Sequence, residues 1–230
     1  MKLGRIFSLG VILVCAAALA QGQAAGQNDL RKVLAQMDAA SAKFQSAQAE
    51  FEWTDFEAAV QLSEVQSGTI YFERKQGQLR MAAMIAKPQA KQVVYADGKV
   101  ELYEPVIDHL TVISAGQNRG QADSFSTLGF GGSGTDLEKN WTISYQGHDK
   151  LDGVDVVKLD LVSKQQNVRN MYSHITLWLD PVEDVSLKQQ AFAPSGDYRI
   201  ALYTNRRINQ KVPGNVFTVK TTKKTTVVTR

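Results

Sequence analysis

Residues 129–134 read Gly-Phe-Gly-Gly-Ser-Gly, which fits G-x-G-x-x-G. With that spacing a strand-to-helix turn brings backbone amides against a pyrophosphate. Asp155 follows about twenty residues on, where an acid would meet a ribose hydroxyl. The fingerprint works only with a strand before it, a helix after it and a parallel crossover. Here TDLEKN (135–140) leaves room for one or two helical turns. The chain then enters the alternating segment NWTISYQ, and Asp155 falls in a hairpin marked by Asp152-Gly153. No G-K-[ST] follows the glycines. The stretch is therefore expected to be a flexible loop or lid segment. Gly129, Gly131, Gly132 and Gly134 would give it freedom, and Leu128 and Phe130 its apolar contacts. Titration with NAD or ATP should give no saturable heat; a saturable signal lost in Gly131→Val would overturn that expectation.

Other chemistry is equally sparse. His109, His148 and His174 form no H-x-x-x-H or H-E-x-x-H pair, and Cys15 is the one cysteine. No G-x-S-x-G elbow singles out a nucleophile, and the carboxylates scatter over turns and strand faces without an acid–base pair. No catalysis, metal or cofactor is expected.

The elements that would position a site begin after an export signal. Lys2 and Arg5 precede an apolar run, Ile6 to Ala16, and Ala18-Leu19-Ala20 offers a cleavage site after Ala20. The run is short for a membrane span of about 20 residues. Val14 before Cys15 is not the small residue that lipidation needs, so Cys15 leaves with residues 1–20. Those residues hold no acid; losing Lys2 and Arg5 takes the 26 basic residues to 24, against 23 acidic ones. A charge so near zero gives no case for nucleic acid. Residues 21–27, QGQAAGQ, read as a linker and 28–220 as one domain. Residues 221–230 form a basic tail whose Thr/Val alternation also suits an edge strand.

Leu30, Val33, Leu34, Met37, Ser41 and Phe44 recur at helical spacing, with Asn28 or Asp29 as N-cap. Nearly everything after this helix alternates with period two, from FEWTDF (51–56) to DYRIALYTN (197–205), between turn signals such as Asp97-Gly98 and Asp152-Gly153. About ten short strands and one long helix predict a mainly β fold, a large antiparallel sheet that must curl. Phe51, Trp53, Ile70, Phe72, Leu79, Met81, Leu102, Leu110, Val112, Trp141, Ile143, Ile175, Leu177 and Leu179 are candidates for one apolar face. That face is either a core under the helix or the lining of a binding cavity.

The order of features resembles the LolA family of periplasmic lipoprotein carriers. An export signal and an apolar-striped helix lead to FEWTDF. GTIYFER (68–74) lies where the family has Gly, an aromatic-rich strand and Arg-Pro. Lys87-Pro88 then precedes QVVYADGKVELYEP, and KVPGNVFTVK (211–220) is similar to the family's closing segment. The resemblance runs from about Asp29 to Lys220. It implies an incomplete antiparallel β-barrel with a helical lid over an apolar cavity. It also implies a carrier that takes acylated lipoproteins from an inner-membrane ABC transporter to an outer-membrane acceptor. Ten residues would line the cavity: Phe51, Trp53, Ile70, Phe72, Leu79, Met81, Leu102, Leu110, Trp141 and Leu177. Arg74 matches the family arginine that holds the lid closed through backbone hydrogen bonds. A periplasmic monomer is expected. Lys75 replaces the family's proline, GFGGSG is richer in glycine, and the basic tail extends past the usual end. The same scaffold also admits a lipid-binding protein, an envelope sensor, or a hydrolase with His109 or His148 at its mouth.

Overall fold

Each alternating segment forms a strand, and the turns between them follow from local chemistry. Asp97 and Asp152 take positive φ ahead of Gly98 and Gly153, the backbone that two-residue hairpins with native twist require. The computed structural model describes residues 12–114, 116 and 128–230, with side chains described from residue 26. Residues 1–11 of the expected export signal lie outside them. The order is α1 (Ile12–Ser41), β1 (Ser46–Glu57), β2 (Leu62–Lys75), β3 (Gln78–Lys87), β4 (Lys91–Ala96), β5 (Lys99–Glu104) and β6 (His109–Ser114). Then come α2 (Gly134–Asn140), β7 (Trp141–Leu151), β8 (Val154–Ser163), α3 (Gln166–Met171), β9 (His174–Asp180), β10 (Val185–Phe192) and β11 (Tyr198–Ile208). A 3-10 turn (Gly214–Phe217) and β12 (Thr226–Thr229) close the chain. Among the described residues no helix is long and apolar enough to cross a membrane.

The twelve strands among the described residues lie in one open sheet, ordered β12-β6-β5-β4-β3-β2-β1-β11-β10-β9-β8-β7. It is the mainly β, unclosed half-barrel architecture expected. Pairing is antiparallel except where β12 runs parallel to β6. The first and second hairpin series are sewn together by β1 and β11, with Phe51 opposite Tyr203 and Trp53 opposite Ala201.

Two expectations change at the ends. Residues 21–27 are not a break between elements: α1 runs straight through them. The stretch is rich in Ala and Gln and has no proline, so its two glycines, at about 1 kcal/mol each, do not stop the helix. α1 ends at Ser41, so Phe44 belongs to the turn into β1 and not to the helical stripe. The tail reaches the sheet edge as β12. There the Asp108 carboxylate accepts from Thr225 Oγ1 (2.7 Å), Thr222 Oγ1 (3.0 Å) and the Tyr103 hydroxyl (3.0 Å). The Thr225 bond is the chief reason that its carboxyl is held below the ordinary range.

Both faces are covered. On the inner face Val33, Leu34 and Met37 of α1, with Leu137 and Trp141, pack on Leu159, Leu161, Ile175 and Leu177. Beside them Phe44 and Phe130 pack on Phe51, Ile70, Phe72, Ala83 and Tyr203. On the outer face Val212, Val216 and Phe217 cover Ala82 and Val94, and the Arg80 guanidinium sits 4.0 Å over the Phe217 ring.

Candidate functional site

Side chains directly opposite in a ladder share a face, so the register fixes where each candidate lies. One row runs Phe72 to Met81, and another Ile70–Ala83–Val93–Leu102. Across the other half, Trp53–Ala201–Gln189–Leu177–Leu159–Tyr145 forms a single row. Phe51, Trp53, Ile70, Phe72, Leu79, Met81, Leu102, Trp141 and Leu177 therefore share the inner face. Leu110 does not. The β5–β6 turn pairs Glu104 with His109, which sets Thr111 and not Leu110 opposite Leu102. A one-residue offset of this kind turns Leu110 and Val112 to the outer face. Trp53 is half-buried and stacks on Phe51, ring centroids 4.1 Å apart.

The glycine segment lies on this face, and Phe130 is its deepest point. The ring is 1% exposed. It stacks on Phe72 at 4.1 Å and meets Tyr203 edge-on at 4.9 Å. Backbone bonds hold it down: Ser186 N–H donates to the Gly129 carbonyl (2.6 Å) and Gly131 N–H to the Asp184 carbonyl (3.0 Å). Gln189 Nε2 donates to the Leu128 carbonyl at 2.7 Å. The glycines serve close approach more than freedom. Gly131 has φ +70°, and a Cβ there would fall 2.4 Å from the Phe44 ring. Ser133 then caps α2, its hydroxyl accepting from Asp136 N–H, and Asp38 of α1 accepts from Thr135 N–H and Oγ1, both at 3.0 Å.

Arg74 joins these parts. It ends the run Ile70–Phe72–Arg74 on one parity, and that parity holds to the strand end, where Arg74 pairs with Leu79. Its Nη2 donates to the Gly131 carbonyl (2.7 Å) and to Ser41 Oγ (3.3 Å), and its Nε donates to the Phe44 carbonyl (3.3 Å). Ser41 Oγ, on the last residue of α1, donates to the same Gly131 carbonyl at 2.8 Å. One guanidinium thus ties the helix end, the turn into β1 and the glycine segment together, a task that suits its fixed fork of donors.

Tyr203 and Asp184 belong to this site without having been marked in the sequence, while Ser41 and Phe44, read there as part of the helical stripe, join it as the helix end and the turn into β1. Asp184 is fully buried, and neither carboxyl oxygen has a hydrogen-bond partner. Burial pushes its pKa up to about 8; the Arg74 charge works against that rise and the Asp38 charge adds to it. The three histidines stay apart, on β6, β7 and β9, and among the described residues no group of three metal-ligating side chains gathers.

No protein-family model matches the sequence, and no curated protein does either. Solved structures do resemble it in shape. An uncharacterized conserved protein from Thermus thermophilus is 11% identical with a TM-score of 0.55, over 87% of this chain and 98% of that one. MucB in the MucA/MucB complex of Pseudomonas aeruginosa is 16% identical with a TM-score of 0.50, over 84% of this chain. The match spans about three fifths of that MucB chain, 61% of its length. LolA superfamily protein NE2245 from Nitrosomonas europaea is 12% identical with a TM-score of 0.41, over 82% of this chain and 97% of that one. At these identities the likeness to the first two is one of fold alone, and a LolA superfamily protein is among the structures matched.

Proposed function

We propose that this chain is an exported, non-enzymatic carrier of acyl chains, which receives a lipid or acylated protein on its inner face and hands it on at a second membrane. The observation that carries the reading is the Arg74 latch. A mainly apolar face, interrupted by Gln189, lies under a cover that three hydrogen bonds from one guanidinium hold in place. Lifting the cover would offer that face to an acyl chain in place of Phe130. Each buried methylene contributes about 0.8 kcal/mol. A long chain buried along its whole length would leave slowly. A cover that competes for the same surface offsets part of that gain and keeps transfer reversible. On this reading the donor is an inner-membrane transporter and the recipient an outer-membrane acceptor.

Two measurements test the proposal. Native mass spectrometry of protein purified from a membrane-containing lysate should show co-purified acyl lipid. A fluorescent fatty-acid probe should bind wild type and fail to bind Phe72→Glu, since the new carboxylate would stand unpaired in an apolar pocket. A folded Phe72→Glu protein that binds the probe unchanged would remove this face from the lining.

Arg74→Leu should favour the open cover. Hydrogen bonds from a charged donor contribute about 1.5–3 kcal/mol each. Losing even one would shift a two-state equilibrium at least tenfold. Release of a bound acylated probe to acceptor vesicles should slow by at least that factor, because closure no longer expels it. Wild-type release from a stably folded Arg74→Leu protein would take Arg74 out of the mechanism.

A second reading is an envelope sensor that binds a partner protein. The likeness to MucB, solved in complex with MucA, favours it. Purified protein that carries no lipid and binds no fatty-acid probe, yet captures a defined envelope protein, would decide for the sensor.

A further inference from the structure

The Asp184 carboxyl is placed where no stable core needs one. It lies under the glycine segment at 0% exposure, both oxygens without a partner. Its backbone sits in the left-handed region at φ 56°, and that bend aims its carbonyl at the Gly131 amide. The next residue, Val185, forms the bridge to Phe130. The residue that buries an unsatisfied carboxyl is therefore also the one on which the cover rests. An ionised carboxylate without partners is strongly disfavoured in such a place, while a protonated one is tolerated.

We infer that Asp184 makes closure of the glycine segment proton-linked: the closed cover holds Asp184 protonated, and opening lets water in and the proton out. The inference rests on the cover alone and stands whether or not the chain carries lipid. The groups acting on this carboxyl are few. Arg74 faces it from β2 and favours the charged form; Asp38 faces it from α1 and disfavours it. The glycine segment brings no titratable side chain, and on the same turn Glu183 is exposed while Asp180 accepts from the Val182 and Glu183 amides. No histidine is among the groups that act on it.

The direction follows from the two states. When closed, Asp184 has its pKa pushed up to about 8; when open and hydrated, it returns to the ordinary aspartate value of about 4. The proton-stabilised part of closure is fully present below the open-state value. It is lost as pH rises, and above about 8 no more is lost because both states are then ionised. Within that window opening becomes up to tenfold easier for each pH unit. Arg74 sets how far the closed carboxyl can ionise, so the latch and the proton act on one equilibrium.

Amide exchange reads this directly. Gly131 N–H and Ser186 N–H both donate within the cover, so their protection factors, corrected for intrinsic exchange, report its opening. In wild type, protection of these two amides should fall by about 100-fold between pH 5 and pH 7, at tenfold per unit. Amides in the β8–β9 ladder should hold constant. Asp184→Asn keeps the shape, and asparagine accepts the left-handed backbone. Its protection should be flat with pH and at pH 7 well above wild type. Wild-type protection that does not change over this range overturns the proposal, and no variant is needed for that outcome. A pH dependence that persists unchanged in Asp184→Asn overturns it too, by assigning the proton to another group.

Discussion

Phe130→Ala should cost about 3–5 kcal/mol of stability, as truncation of a buried phenylalanine does. For a chain of this length that is a fall in midpoint on the order of 10 °C. The ring is held between Phe72 and Tyr203, and it hangs from a segment fixed by backbone bonds at Gly129 and Gly131. The surrounding sheet cannot collapse into the space, because strand spacing holds Phe72 and Tyr203 in place. An apolar, dry space of this kind takes apolar guests. The variant should therefore bind a short-chain fatty-acid probe more tightly than wild type while it unfolds more easily. Thermal unfolding and probe titration on one sample separate two roles. Lower stability with no gain in binding would make Phe130 a core residue and nothing more. An unchanged midpoint would mean the ring is not packed as described.

Gly134→Ala should be the other severe substitution, although it adds only a methyl group. The new Cβ would lie 2.3 Å from the Leu34 carbonyl oxygen and 2.7 Å from Leu34 Cα. Both are backbone atoms of α1 and cannot rotate aside. Alanine at the first position of α2 gains about 1 kcal/mol of helix propensity. Overpacking against backbone costs up to about 3 kcal/mol, so the clash wins. The two helices must separate, which weakens the contact of Leu34 with Leu137 and Trp141. Gly132→Ala is the control: a Cβ there meets nothing within 4 Å. Urea unfolding should place Gly134→Ala well below Gly132→Ala, and limited proteolysis should cut α1 first. Equal stability of the two variants would show that α1 does not rest on Gly134.

The inner-face residues differ in how readable they were. Phe51, Trp53, Ile70 and Phe72 could be read because strand alternation is local. Once β1 and β2 pair, period two decides the face. The same rule misplaced Leu110, because its face depends on the offset in the β5–β6 turn and not on its own neighbours. The helix could be found from Val33, Leu34 and Met37, but not its beginning: Asn28 and Asp29, read as caps, lie inside α1, because no proline or other break stops the helix through residues 21–27. Nothing near Asp184 distinguishes it from a solvated turn aspartate such as Asp97.

The sequence by itself determined the strands, their hairpin turns, the mainly β class and the apolar composition of one face. Each depends on residues within a few positions of one another, where alternation and turn chemistry act. Only the tertiary structure decided what lies on that face. Phe130 and Arg74 are 56 residues apart in the chain, yet the Arg74 bond to Gly131 spans a separation of 57 positions. Asp184 comes from a different hairpin again. Burial, unpaired oxygens and a shared carbonyl are properties of atoms brought together by the ladder between β1 and β11 and by the docking of α1. Such contacts depend on distance in space, which a one-dimensional pattern does not encode.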